Sequence, residues 1–190
     1  IILVTRGADG ALNAAPMGVK HSGGVLEIRP YRTSQTYRNL RLGGEAAINV
    51  THDPLLFLAT AFKDEVRDQP HVCADMSLRE ADSCVYVMVG DEGSLSDDQA
   101  SFGAEPIRIV IKREHPIVFS RGRAEAIEAV IHATRVKVFQ RQGRIDEVRV
   151  LTERIAECAE TVRRVSPEDS PEGRTIAELW RIMRDWGVQA

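Results

Sequence analysis

Thr33, Ser34 and Thr36 put three hydroxyls within four residues, inside a segment, Arg29-Pro30-Tyr31-Arg32-Thr33-Ser34-Gln35-Thr36-Tyr37-Arg38-Asn39-Leu40, that also carries three guanidinium groups. Pro30 stops the strand before it, and Thr36 to Leu42 suits a short helix, so the segment feeds a helix start. Unsatisfied N–H groups point out of a helix start, the dipole favours an anion there, and hydroxyls with an arginine complete a phosphate shell. The same residues also suit a plainer use, with Ser34 or Thr36 as the N-cap and the arginines solvated. Asn13-Ala14-Ala15-Pro16-Met17-Gly18 is a second candidate. Small residues and a proline in a strand-like run leave a flat backbone surface with an unpaired edge, where a planar ring can lie and hydrogen-bond to the main chain. An edge strand beside a bulge accounts for it too.

These candidates need elements to hold them. Up to about His115 the apolar stretches are short, rich in β-branched residues and punctuated by Gly, Asn, Asp and Pro, which is the texture of strands and turns. Ile1 to Arg6 reads as a strand, Gly7 to Gly10 as a turn, and Ala11 to Val19 as the returning hairpin partner. His21 to Gly24 reads as a turn, and Val25 to Arg29, Ala46 to Thr51, Ser83 to Val89 and Ile107 to Lys112 as further strands. The short helix ends at Gly43-Gly44. Asp53-Pro54 suits a cap and first position for a helix over Leu55 to Phe62, while Lys63 to Asp82 reads as irregular. After His115 the period becomes helical: Ile127, Val130, Ile131, Thr134 and Val138, then Val148, Leu151, Ile155, Ala159 and Val162, then Ile176, Leu179, Trp180 and Met183. Three amphipathic helices follow the strands.

Bulk properties exclude several classes. The 25 basic and 28 acidic residues of this 190-residue chain are spread along its length with a net charge of -3, so no basic block is available to neutralise phosphates of a nucleic acid. No apolar run approaches the roughly 20 residues that span a bilayer, and Ile1 to Val4 lack a basic leader, so the expectation is a cytoplasmic protein. With no methionine at position 1, a short preceding segment is also expected. Cys73, Cys84 and Cys158 form no C-x-x-C pair and no metal-ligand spacing with histidine, so they read as free thiols and no metal is expected. His132 reads as an interhelical or surface histidine before it reads as a proton donor; His52 and Asp53 read as residues lining a pocket after the strand, with helix capping an equal explanation for Asp53; and Trp180 and Trp186 read as packing residues.

Taken in order, "ALNAAPMGV", "IRPYRTSQTYRNL", "AAINVTHDPLLF" and "AEAIEAVIHATRVKV" resemble the DUF447 family of archaeal and bacterial proteins. Its members adopt the FMN-binding split barrel of flavin reductases and pyridoxamine-phosphate oxidases. The resemblance implies an α+β chain: a flavin-reductase-like, mostly antiparallel split β-barrel over residues 1–118, then a three-helix segment over 119–190. It implies FMN as cofactor, with Asn13, Ala15, Pro16 and Met17 along the ring. Thr33, Ser34 and Thr36 would lie at the phosphate with Arg29 or Arg32, and Asn49 and Thr51 would reach ribityl or ring atoms. It further implies a homodimer with the flavin at the subunit interface, and a nicotinamide nucleotide or another reduced carrier as electron donor. The resulting expectation is a flavin-dependent oxidoreductase of unassigned substrate. The alternative is a protein that stores or senses FMN, a deazaflavin or a pterin without turning it over.

Overall fold

Gly7 to Gly10 reverse the chain as expected: the Gly7 N–H donates to the Ala11 carbonyl at 2.8 Å, the Gly10 N–H to the Gly7 carbonyl at 2.9 Å, and Gly10 takes a φ of +81°. In the computed structural model, which describes residues 1–22, 25–115 and 117–188, this turn joins β1 (Ile2–Arg6) to β2 (Leu12–Pro16). The expected single run from Ala11 to Val19 is in fact two strands. Pro16 has no N–H to continue a ladder, and after Met17-Gly18 the chain starts β3 (Val19–Ser22), which pairs with β4 (Val25–Ile28) instead. His21 and Ser22, expected in a turn, therefore belong to a strand; Gly23 and Gly24 of that expected turn lie outside the described residues.

The seven strands run in the order β2-β1-β5-β6-β7-β4-β3, with β5 spanning Gly44–Val50, β6 Ser83–Ser94 and β7 Ala100–Ile111, and every recorded pairing is antiparallel. β2 and β3 are thus the two outer strands, yet only two residues join them. Three Cα steps span at most about 11 Å, so the sheet must curl until its edges approach, and the result is the expected mostly antiparallel split barrel. Its interior is filled by Leu3, Ile28, Leu40, Ala46, Ile48, Val87, Val89, Ala100, Phe102 and Ala104. β6 and β7 are longer than the runs Ser83 to Val89 and Ile107 to Lys112. Register shifts at Tyr86/Val87 and Val89/Glu92 break the alternation that a sequence reading follows.

Helix α1 (Gln35–Leu40) is capped by Ser34 and stops before Gly43 and Gly44, whose φ values are +72° and +86°. Helix α2 (Pro54–Ala61) starts on the Asp53 cap, whose carboxylate accepts from the Leu55 N–H at 2.9 Å. Between Lys63 and Asp82 the one bridge recorded is Val72 to Leu78, in line with the irregular reading. Helices α3 (Arg121–Arg141), α4 (Ile145–Val165) and α5 (Pro171–Asp185) follow. Of the expected α4 stripe, Val148, Leu151, Ile155 and Val162 are buried, while Cys158 takes the buried place expected for Ala159. On α3 the buried face is instead built on Ala126, Ala129, Val130, Ala133 and Val136, and Val138 is 49% exposed. Val130 is the one residue the two faces share. The chain divides into two compact units, Ile1–Thr51 with Pro70–Pro116, and His52–Gln69 with Ile117–Ala190, so α2 groups with the three long helices.

Candidate functional site

The two candidate motifs meet at the start of α1. The Asn13 side-chain amide donates to the Thr36 hydroxyl oxygen at 3.2 Å, tying β2 to the helix 23 residues on. Alongside, the Asn39 amide donates to Thr5 on β1 at 3.0 Å and the Gln35 amide to Asn39 at 2.7 Å. Thr36 and Asn39 are buried. A polar pair shielded from water holds its geometry tightly, because each lost partner would leave an unsatisfied group.

The ladder register decides which main-chain groups of β2 are available. Ile1 and Met17 exchange hydrogen bonds at 3.0 and 3.4 Å, and Gly7 donates to Ala11, so the bonded pairs in this register are Ile1–Met17, Leu3–Ala15 and Thr5–Asn13. The main-chain groups of Asn13, Ala15 and Met17 are thereby turned toward β1. Those of Leu12 and Ala14, with the Pro16 carbonyl, point to the outer edge, where the sheet has no further strand.

Within the loop, Arg29 Nη2 donates to Glu27 at 2.6 Å, while its Nε is buried without a hydrogen-bond partner. A buried guanidinium N–H with no acceptor is costly in isolation and is the one orphaned donor here that a bound anion would satisfy. Thr33 is exposed, and its carbonyl accepts from Arg38 at 3.1 Å. Ser34 is committed as the N-cap: its hydroxyl accepts from the Tyr37 N–H at 3.1 Å and donates to the Tyr31 carbonyl at 2.7 Å. Arg32 donates to Glu92 and, at 3.1 Å, to the Tyr37 hydroxyl. That guanidinium holds the Glu92 carboxyl below the usual carboxylate range. Tyr37, Arg41 and Glu92 escaped the sequence reading, since Glu92 sits beyond a bulge in a stretch that does not alternate.

Asn49 is fully buried and faces elsewhere. Its amide donates to the Ala47 and Met76 carbonyls at 3.3 and 3.2 Å, and its oxygen accepts from the Leu78 N–H at 2.7 Å. It braces a turn in which Met76 takes a φ of +69°, a conformation that a side chain adopts only when neighbours impose it. Asp75 adds a second brace. The Tyr86 hydroxyl donates to it at 2.6 Å, and with the Ser77 N–H and hydroxyl this lowers the Asp75 carboxyl to about 2. Thr51, the other expected contact on that strand, is buried. A cleft of about 350 Å³ opens at the far end of β1, where Thr5, Arg6, Asn39, Gly43 and Met76 are among its lining residues.

In the helical unit, burial pushes the Cys158 thiol up to about 12, with Glu125 adding to the effect, and burial lowers His132. Trp186 packs edge-on against Phe62 at 5.3 Å, a packing role as expected. Among the described residues no cluster of His, Cys, Asp and Glu could hold a metal ion, and no helix is long and apolar enough to cross a membrane.

A family model described as "Protein of unknown function (DUF447) N-terminal domain" matches residues 1–113. The FMN-bound protein MM1853 of Methanosarcina mazei, from the same family, superposes with a TM-score of 0.68 at 21% identity, over 95% of this chain and 92% of that one. The flavin reductase HpaC complexed with NADP+ gives a TM-score of 0.48 at 15% identity, over 60% of this chain and 80% of that one. The styrene monooxygenase flavin reductase of Pseudomonas putida S12 gives 0.46 at 12% identity, over 58% and 77%.

Proposed function

This chain belongs to the DUF447 family, whose N-terminal domain model covers residues 1–113, and from that membership we propose that it binds FMN in the split barrel and works as a flavin-dependent oxidoreductase. The observation that carries the reading is the Asn13–Thr36 hydrogen bond at 3.2 Å, which sets an open strand edge suited to a flat ring beside a loop suited to a phosphate. The FMN-bound relative, alike over 95% of this chain, supports the choice of ligand. Asn13, Ala15, Pro16 and Met17 form the ring wall, where Ala14 and Pro16 main-chain groups face outward. Arg29 and the Arg32 cluster beside it take the phosphate with Thr33 and Thr36, Ser34 fixes the helix start, and Asn49 and Thr51 support the strand beneath. A bound flavin supplies hydride and single-electron chemistry, and the chain's part is to place the ring and control access to it. A nicotinamide nucleotide is the proposed reductant, and the free thiols Cys73, Cys84 and Cys158 support a cytoplasmic setting. The test is a fluorescence titration of the purified protein with FMN, then addition of NADH or NADPH. Saturable quenching followed by bleaching of the yellow band is expected. Binding without bleaching by any reductant would favour a storage or sensing protein, and absence of binding would end the flavin reading.

The proposed assembly is a homodimer. β7 pairs with β4 only from Phe102 to Ala104, so from Glu105 to Ile111 its second edge has no strand neighbour among the described residues. Ile107, Ile109 and Ile111 lie on this stretch and are 50%, 62% and 72% exposed. An apolar row on an open strand edge is a surface that a second copy of this chain would cover. Ile109→Lys puts an unpaired ammonium at the centre of that row and should weaken self-association at least about tenfold. Sedimentation velocity reads this directly, and a wild-type protein that stays monomeric at high concentration would overturn the assignment.

A further inference from the structure

Three donors converge on a single carboxylate beside the loop that begins at Arg29. Arg32 Nη1 and the Tyr37 hydroxyl both donate to Glu92 Oε1, the latter at 3.1 Å, and Arg41 Nε lies 3.4 Å from Oε2. The guanidinium carbons of Arg32 and Arg41 stand 5.6 and 5.8 Å from the centre of the Tyr37 ring, so both cations are held against one aromatic face set. Arg32 comes from the loop, Tyr37 from α1, Arg41 from its C-cap and Glu92 from the bulge on β6, where the register shift between Val89 and Glu92 re-aims the strand. Two guanidinium groups and a phenol around one oxyanion are the donor set of a phosphate ester site. The carboxylate supplies one negative charge against two positive ones, so the cluster keeps a net attraction for anions. The Arg32 and Glu92 side chains are each 29% exposed, which leaves the cluster open to a ligand arriving from solvent.

We propose that the Glu92 carboxylate stands in for a ligand phosphate, competing with the phosphate of FMN for Arg32 and Arg41 and so keeping the flavin exchangeable. The inference rests on the FMN reading above and specifies how that site is tuned. A phosphate dianion entering the loop must either displace Glu92 from its guanidinium partners or meet its charge at close range. Riboflavin, which lacks the phosphate, does neither.

The experiment compares wild type with Glu92→Gln, an isosteric change that removes the charge, in fluorescence titrations with FMN and with riboflavin. FMN should bind about tenfold more tightly to the variant, whereas riboflavin should change less than about twofold. Glu92→Ala, checked for an unchanged thermal midpoint, should reproduce the gain and guards against an artefact of the glutamine. Equal FMN affinity in all three proteins, or a matching gain for riboflavin, overturns the role of Glu92 while leaving FMN binding intact. Failure of FMN to bind the wild type and both variants overturns the flavin reading and this inference with it.

Discussion

Replacing Arg29 and Thr36 together with alanine is expected to weaken FMN binding by roughly 2 to 5 kcal/mol, a rise in Kd from about 30-fold to several thousand-fold. Most of that loss falls on Arg29. Its Nε is buried with no acceptor while the neighbouring Nη2 is paired with Glu27, so one N–H of the guanidinium is still unsatisfied. A charge-assisted bond from that N–H to a phosphate oxygen relieves an unsatisfied donor as well as making a contact, which places it at the upper end of hydrogen-bond contributions. Thr36 contributes in two ways. Its hydroxyl lies at the head of α1, and it anchors the Asn13 amide, so its loss also frees the strand that would carry the ring. Riboflavin titrations separate the two effects, because the Arg29 and Thr36 contacts to a phosphate are lost with it while the anchoring of Asn13 by Thr36 is not. Arg29→Lys should recover part of the affinity, since the charge returns without the planar fork. An FMN affinity that is unmoved by the double change would place the phosphate elsewhere.

Where local chemistry determines structure, the sequence was easy to read. The turn at Gly7 to Gly10, the Ser34 cap, the Asp53-Pro54 start of α2 and the amphipathic stripe of α4 all follow from residues within a few positions of one another. What escaped the reading depends on partners distant in sequence. Ala11 to Val19 looks like one strand because nothing local says that Pro16 is the last residue of one sheet edge and Val19 the first of the other. The β6 and β7 extensions were hidden by bulges, and with them Glu92, whose partners Arg32 and Tyr37 lie 60 and 55 residues away. On α3 a small-residue face is the buried one, against the habit of ranking side chains by size. In the site, the pairing of Asn13 with Thr36 was implied only by motif order, and which β2 groups face outward needed the register to decide.

Asn49 is the sharpest case, and its substitution tests whether a buried polar residue on β5 is there for a ligand or for the fold. Asn49→Ala should destabilise the protein by about 3 kcal/mol. The side chain makes three hydrogen bonds in a fully buried setting, and its removal leaves the Leu78 N–H without its acceptor at 2.7 Å and the Met76 carbonyl without its donor at 3.2 Å. Both groups belong to the turn that Met76 enters with a φ of +69°, and their loss outweighs the strain released at Met76 when the brace goes. Asp75 and Tyr86 hold the other side of the same turn, which limits the damage to local loosening before global unfolding. The expected signature is a lower denaturant midpoint and faster amide exchange at Leu78, with FMN affinity of the still-folded protein changed by less than about threefold. The reverse pattern, intact stability with collapsed FMN binding, would return Asn49 to the ligand. A brace of this kind also explains why an asparagine is placed here: its amide offers a donor and an acceptor at once, which a main-chain turn crossing a strand requires and no apolar side chain provides.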